Sequence, residues 1–339
     1  MRRAAKFLFI AAAAGSALAS WGDRAPEFVN CVTRCATDRC SLGSTALPLS
    51  LRVTGWSCND DCKYTCMHQI TDEAIVKGTR IHQYYGKWPF WRFLGMQEPA
   101  SVAFSLMNLW AHVQGARKVR KQIPDFHPMK SYYLIWSFAS MNAWIWSSVF
   151  HTRDLPTTEK LDYFSAALAI LYALYYTTVR LFHLYPPPQQ SRLTLSTRTP
   201  KSFKLKALSW LCTAVYLAHI SYLTLLPRFD YTYNMAFNLG LGLVHNALWL
   251  LYSLPVSVSI LQRFPSQPKS YRPTFVTQAA IFVALTTAAT ALELFDFPPW
   301  GRIIDAHALW HLVTVPIAVE WYKFLIQDAL DPTWREQRK

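Results

Sequence analysis

YYLIWSFASMNAWIWSSVFHTRDLPTTEKLDYFSAALAILYALYYTTV, Tyr132 to Val179, reads as two apolar segments joined by a short polar one. Tyr132 to Trp146 and Tyr163 to Val179 have the length and character of helices that cross a bilayer. Ser147 to Asp162, between them, places a hydroxyl (Ser147), an imidazole (His151) and a carboxylate (Asp162) where the two helices meet water. Polar groups at that depth are costly, so such a cluster marks a functional site. Ser147 and His151 are four apart and share one helical face.

Working outward, seven spanning helices are expected: roughly Glu98 to Ala116, Tyr132 to Phe150, Leu161 to Leu181, Leu205 to Leu226, Tyr231 to Leu254, Thr274 to Leu294 and Ile303 to Tyr322. The first is interrupted by Asn108, His112 and Gln114. Basic residues crowd alternate connections. Arg117, Lys118, Arg120, Lys121 and Lys130 lie in the first; Arg180, Arg192, Arg198, Lys201, Lys204 and Lys206 in the third; Arg263, Lys269 and Arg272 in the fifth; Arg335, Arg338 and Lys339 in the tail. The positive-inside rule therefore puts the odd loops and the C-terminus in the cytosol. The run Pro186-Pro187-Pro188 in the third loop reads as a stiff connector.

Ahead of these spans, residues 1–19 have a basic start, a short apolar centre and small residues near Ala19, the pattern of a secretory signal peptide. This sets the following N-terminus in the lumen, which agrees with the loop charges. Residues 20–97 form a lumenal segment holding six of the seven cysteines: Cys31, Cys35, Cys40, Cys58, Cys62 and Cys66. An even count after a signal peptide reads as disulfides, and six cysteines allow about fifteen pairings. Zinc fits less well, because the spacings are unlike those of zinc ribbons. Support of the fold is the expected role, with recognition of a substrate or partner the alternative. Cys212 stands apart in an apolar helix as a small core residue. No N-x-Ser/Thr sequon occurs, so no N-glycan is expected. Residues 98–326 would be the seven-helix domain and 327–339 a cytosolic tail.

The composition agrees. Of 339 residues, 52% are hydrophobic and 16% charged, against about 25% charged in soluble domains. The net charge of +14 does not indicate nucleic acid, because the basic residues sit in short loops between apolar runs. The fold class is thus an all-α membrane protein with a disulfide-rich lumenal segment.

Direction gives depth. Ser147 and His151 end the second span and Asp162 opens the third, both on the lumenal side. The seventh span starts there too, with DAHALWH, Asp305 to His311. His307 and His311 share a helical face and lie on the order of 6–12 Å below a start at Ile303. Three imidazoles with a fourth position open for water is the pattern of catalytic zinc, although imidazoles also suit copper, iron and nickel. His151, His307 and His311 are the candidate metal ligands, with hydrogen-bonded core histidines as the alternative. Asp162 would orient water or take its proton, and Ser147 would donate to a developing oxyanion. A serine nucleophile is the competing role for Ser147, and it needs a free imidazole as base. Asp305 reads as a partner of the ligands or a helix cap. Arg153, Asp154, Glu159 and Lys160 read as a solvated loop, with a headgroup contact as the alternative. His219, Asn238, His245 and Asn246 read as interhelical hydrogen-bonding groups; Glu293 and Asp296 end the sixth span on the lumenal side.

WSSVFHTRDLPTTEKLDYFSA, Trp146 to Ala166, resembles the signature of the GPI-anchor-remodelling lipases, the post-GPI-attachment phospholipase or Per-one-like family. DAHALWHL, Asp305 to Leu312, resembles its second motif, and GDRAPEFVNCVTRC, Gly22 to Cys35, the start of its lumenal segment. The family belongs with the alkaline ceramidases and adiponectin-type receptors to a wider seven-span group that shares a serine, an aspartate and three zinc-binding histidines. Ser147, Asp162, His151, His307 and His311 match those positions. The resemblance implies hydrolysis of the sn-2 acyl ester of GPI-anchored proteins, of phospholipase A2 type, in the endoplasmic reticulum membrane or the Golgi. A ceramidase-like amide hydrolase and a non-enzymatic receptor or folding factor are the alternatives.

Overall fold

Cys31 and Cys35 are four residues apart, as are Cys58, Cys62 and Cys66 in turn, so each run lines one face of a helix, and Cys40 follows five residues after Cys35 at the end of the first helix. The computed structural model, which describes residues 20–40, 47–185, 200–255 and 257–336, pairs those faces. After a single turn, α1 (Trp21–Arg24), helix α2 (Pro26–Arg39) begins with Pro26, whose fixed φ suits a first turn. Following the short α3 (Leu49–Val53), helix α4 (Cys58–Lys77) opens on a capping box. Asp60 N–H donates to Ser57 Oγ (3.1 Å), and Ser57 N–H donates to the Asp60 side chain (3.2 Å). It closes on Gly78 at φ 65°, a conformation that suits a residue without a Cβ. Disulfides Cys31–Cys66, Cys35–Cys62 and Cys40–Cys58 join α2 and α4 as an antiparallel ladder. The bridges engage all six of these sulfurs. Phe28, Ala25, Cys66 and Tyr84 form a small core beneath them.

Seven longer helices of 19 to 26 residues follow: α5 (Pro99–Gln122), α6 (Lys130–Thr152), α7 (Pro156–Leu181), α8 (Pro200–Leu225), α9 (Tyr231–Ser253), α10 (Val276–Leu294) and α11 (Ala306–Leu330). A last turn, α12 (Thr333–Glu336), ends the described chain. Among the described residues all regular structure is helical apart from isolated bridges. Five of the helices, α7 to α11, are long and apolar enough to cross a membrane, which makes this a multi-pass membrane protein. Large side chains such as Phe203, Trp210 and Leu225 on α8 and Leu243 on α9 are exposed, as lipid-facing residues are.

Helices α5 and α6 fall outside that group of five for a structural reason. In α5 the polar side chains Ser101, Ser105, Asn108 and His112 are buried beside Val102, Ala111 and Val119, while Leu106, Met107 and Trp110 face outward. In α6 Ser137, Ser140, Ser147 and His151 are buried, and Ile135, Phe138 and Ile145 face outward. Both helices turn polar groups inward among apolar ones and large apolar side chains outward, which lowers their mean hydropathy without exposing a polar face.

The seventh expected span begins later than Ile303. Gly301 and Arg302 both have φ 58°, and Trp300 bridges to Ile304. Consecutive left-handed residues cannot lie within an α-helix, so α11 starts at Ala306 and continues past Pro316 to Leu330. His307 therefore sits in its first turn, with His311 one turn on. The expected signal peptide at residues 1–19, the Pro186–Pro188 run, Arg192, Arg198 and the final residues Arg338 and Lys339 lie outside the described residues.

The chain divides into two compact units. The first comprises Met1–Ala103, Ser148–Thr158 and Phe295–Leu309; the second Phe104–Ser147, Glu159–Leu294 and Trp310–Lys339. The second has an aromatic core including Trp249, Trp321, Tyr176, Tyr252 and Phe324. Within it the fully buried Arg180 donates to both oxygens of the equally buried Asp328 at 2.7 Å, and Tyr252 OH donates to the same carboxylate at 2.9 Å. Asn246 Nδ2 donates to Thr286 Oγ1 of α10 (3.0 Å), an interhelical contact as expected, whereas His245 Nε2 accepts from Trp249 Nε1 (3.2 Å) and Asn238 Nδ2 donates to Asn234 O (3.0 Å) within α9. His219 instead stacks on Phe237 at 3.9 Å.

Candidate active site

Within the first unit, the end of α6 and the start of α11 bring His151 and His307 together. Their Nε2 atoms are 3.3 Å apart and the ring centroids 5.1 Å. His151 is 2% exposed. Its Nδ1 lies 2.9 Å from Glu98 Oε2, and a carboxylate accepts, so this nitrogen carries the proton and Nε2 presents a lone pair. Either His307 donates a proton to that lone pair, or both nitrogens face one cation. Asp305 caps α11 by accepting from Ala308 N–H at 2.8 Å.

Glu98 is itself buried and pairs with Lys87, whose Nζ also lies 3.3 Å from Asp154. Burial pulls the Lys87 ammonium down, but Glu98 and Asp154 push it up further, so it stays charged. Backbone bonds tie the same segment to the end of α6: Gln97 N–H donates to Thr152 O and Glu98 N–H to His151 O, each at 3.0 Å. The expected solvated loop is thus not free in solvent. Arg153 Nη2 donates to Asp60 at 2.7 Å, Asp154 meets Lys87, and in the second unit Glu159 accepts from Tyr231 OH. Asp296 accepts from Trp88 Nε1 (2.6 Å) and Gln83 Nε2 (2.8 Å) rather than standing free at a helix end.

Within the second unit, Ser147 and His311 meet through a third residue. Ser105 Oγ is 3.0 Å from Ser147 Oγ and 2.9 Å from His311 Nδ1, with all three side chains buried. With His311 Nδ1–H donating to Ser105, the Ser105 hydroxyl donates onward to Ser147 and His311 Nε2 is left as a lone pair. Asn108 Nδ2 donates to His311 O at 2.7 Å. Asp162 lies in the second turn of α7, half-buried. Helices α6 and α11 are unbroken through these positions, so Ser147 and His151, and His307 and His311, are each one turn apart.

A family model described as the Per1-like family matches residues 48–329. The chain belongs to the Per1-like family. It is 38% identical to the "GPI-specific phospholipase A2-like PGAP3" of Bos taurus over 333 residues, covering 97% of this chain and 95% of the bovine protein. It is 37% identical to the Homo sapiens protein of that name, over 96% and 95%. It is 40% identical to the "Protein PER1 homolog" of Schizosaccharomyces pombe, over 92% of this chain and 88% of that one. No solved structure matches.

Sequence reasoning missed three residues beside these histidines: Glu98 and Lys87 in the first unit and Ser105 in the second. Glu98 and Ser105 had a legible signal. An acid sits at the very edge of an apolar run, and Ser101, Ser105, Asn108 and His112 recur at three- and four-residue steps. That pattern is a polar stripe, not an interrupted span. Lys87 lies outside any periodic segment and leaves no such trace.

Proposed function

We propose that this protein is a metal-dependent lipid acyl hydrolase that remodels GPI anchors, cleaving the sn-2 ester of GPI-anchored proteins to a lyso form. One observation carries the metal reading: the 3.3 Å between His151 Nε2 and His307 Nε2. Two nitrogens bound to one tetrahedral zinc at about 2.0–2.1 Å each stand about 3.3 Å apart. The donor set supports it as well. Nδ1 of His151 and Nδ1 of His311 each meet a protein oxygen, the arrangement that frees Nε2 of a ligating imidazole. His151, His307 and His311 would hold the ion. Bound there, zinc would supply Lewis-acid polarisation and activation of water at neutral pH.

The chain's own residues do the rest. Asp162 takes the proton from the attacking water. Ser147 donates to the oxygen of the ester carbonyl as charge develops on it. Ser105 keeps the Ser147 hydroxyl in place, and Glu98 holds His151 in one tautomer. His151 as a ligand cannot also serve as base, which favours the donor role for Ser147 over a nucleophile.

Helices α5 and α6 join the other five as spans, because their outward faces are apolar and their polar stripes line the site. Seven spans agree with a lumenal N-terminus after a signal peptide at residues 1–19 and a cytosolic C-terminus. The site then faces the lumen of the endoplasmic reticulum or Golgi, where GPI lipids reside. The names of the relatives support the substrate class.

The test is to express His307→Ala and Asp162→Asn in cells lacking the native protein and analyse the acyl chains of GPI-anchored proteins, with zinc measured on the purified chain. Loss of remodelling by folded variants is expected, with zinc lost from His307→Ala only. Full remodelling by either variant would overturn the assignment.

A further inference from the structure

The three disulfides hold α4 rigidly against α2, and α4 reaches both histidine-bearing segments of the first unit. At its start, Asp60 accepts from Arg153 Nη2 at 2.7 Å. Arg153 lies two residues beyond His151, and its guanidinium lies over the Trp56 ring at 4.4 Å. Further along, His68 Nδ1 accepts from Arg302 Nη1 at 2.8 Å, and Asp72 accepts from Arg302 Nη2 at 2.5 Å. Arg302 lies five residues ahead of His307. Its guanidinium covers the Trp91 ring at 4.9 Å, and Trp91 stacks on His68 at 4.0 Å. The backbone closes the arrangement: Trp91 N–H donates to Arg302 O (2.9 Å), and His68 Nε2–H donates to Phe90 O (3.0 Å).

Asp72 is exposed, but the arginine ends of these pairs are sheltered. The Arg153 and Arg302 side chains are 14% and 9% exposed, and His68 is 5% exposed. Arg302 also holds φ 58°, a left-handed conformation that is costly for a residue with a Cβ and persists where surrounding contacts fix it. Asp60 and His68 are eight residues apart on one unbroken helix, about 12 Å along its axis.

We infer that α4 is a strut that sets the separation of His151 and His307, with Asp60 and His68 as positioning residues acting through Arg153 and Arg302. The Cys-rich segment is then part of the hydrolase site's framework, not an appended recognition module. Cross-links at Cys58, Cys62 and Cys66 restrain the helix between and beside its two arginine anchors, which favours a fixed spacing. The metal consequence rests on the reading of the three histidines above; the strut itself does not.

The experiment uses the full-length protein in detergent micelles with its disulfides verified by mass mapping. Asp60→Asn, which retains hydrogen bonding to Ser57, and His68→Phe are compared with His68→Gln, which can accept from Arg302 and donate to Phe90 O. Zinc affinity is measured by chelator competition, and amide exchange is followed over residues 91–98, 148–154 and 300–307. Asp60→Asn and His68→Phe should each weaken zinc binding by about 10- to 100-fold, as loss of groups supporting metal ligands does. Exchange at Gln97, Glu98 and Trp91 should accelerate, and His68→Gln should restore both readouts. Zinc affinity within twofold of the parent in both variants, even with a lowered melting temperature, overturns the strut. If the parent binds no zinc and His307→Ala still remodels GPI anchors, the hydrolase reading has failed separately. Exchange then decides the strut alone, and unchanged rates at those three amides overturn it.

Discussion

The two units of this protein are held by opposite chemistry. The first has few aliphatic side chains and relies on three disulfides, a capping box and ion pairs stacked on Trp56, Tyr64 and Trp91. The second is a packed aromatic core with one fully buried ion pair, Arg180–Asp328. A small segment cannot bury enough apolar area to stand alone, so covalent bonds reduce the entropy it must lose. A bundle of long apolar helices has area to spare, and within it a buried charge must find its partner.

Removing one partner of that buried pair gives the largest expected effect. Asp328→Asn should cost about 3–5 kcal/mol, seen as loss of monodisperse protein on size exclusion, while the three disulfides still form. A well-behaved variant with unchanged melting would mean that the aromatic core alone holds the second unit. Next comes Ser147→Ala, which should lower turnover about 10²–10³-fold, the cost of an oxyanion donor, with thermal unfolding unchanged. Full turnover would favour a non-enzymatic protein. Cys31→Ser with Cys66→Ser should then cost about 2 kcal/mol, confined to the first unit. Limited proteolysis should cut within residues 20–97 before the long helices, and cleavage in both regions at one rate would erase the contrast.

The smallest effect is one of pH. Burial, with Arg302 adding to it, lowers the His68 pKa from 6.5 to about 4, while the bond to Phe90 O opposes. The unfolded chain therefore binds this proton first. The stability His68 contributes is fully present above about pH 6.5 and is lost as the pH falls through 4. Melting followed from pH 7 to pH 4 should show this decline in the parent and a shallower one in His68→Gln. Identical curves would mean that His68 does not govern it.

Much of the fold was legible because its signals are local. Apolar length marked the five helices long and apolar enough to cross a membrane, and Ser147, His151, His307 and His311 stood out by four-residue spacing. The disulfide pairing was not legible, because six cysteines allow about fifteen pairings and only the packing of α2 against α4 selects one. The late start of α11 was not, because only the backbone at Gly301 and Arg302 shows that Ile303 cannot be helical.

The amino-acid sequence determined the helix-rich membrane class, the oxidised N-terminal segment and the residue types of the site, because periodicity and composition act over a few turns. Tertiary structure alone decided that Glu98 and Lys87 stand behind His151, that Ser105 joins Ser147 to His311, and that Arg153 and Arg302 are anchored on α4. Those partners lie 11 to 234 residues apart along the chain, and no local pattern encodes which distant polar group must satisfy a buried one.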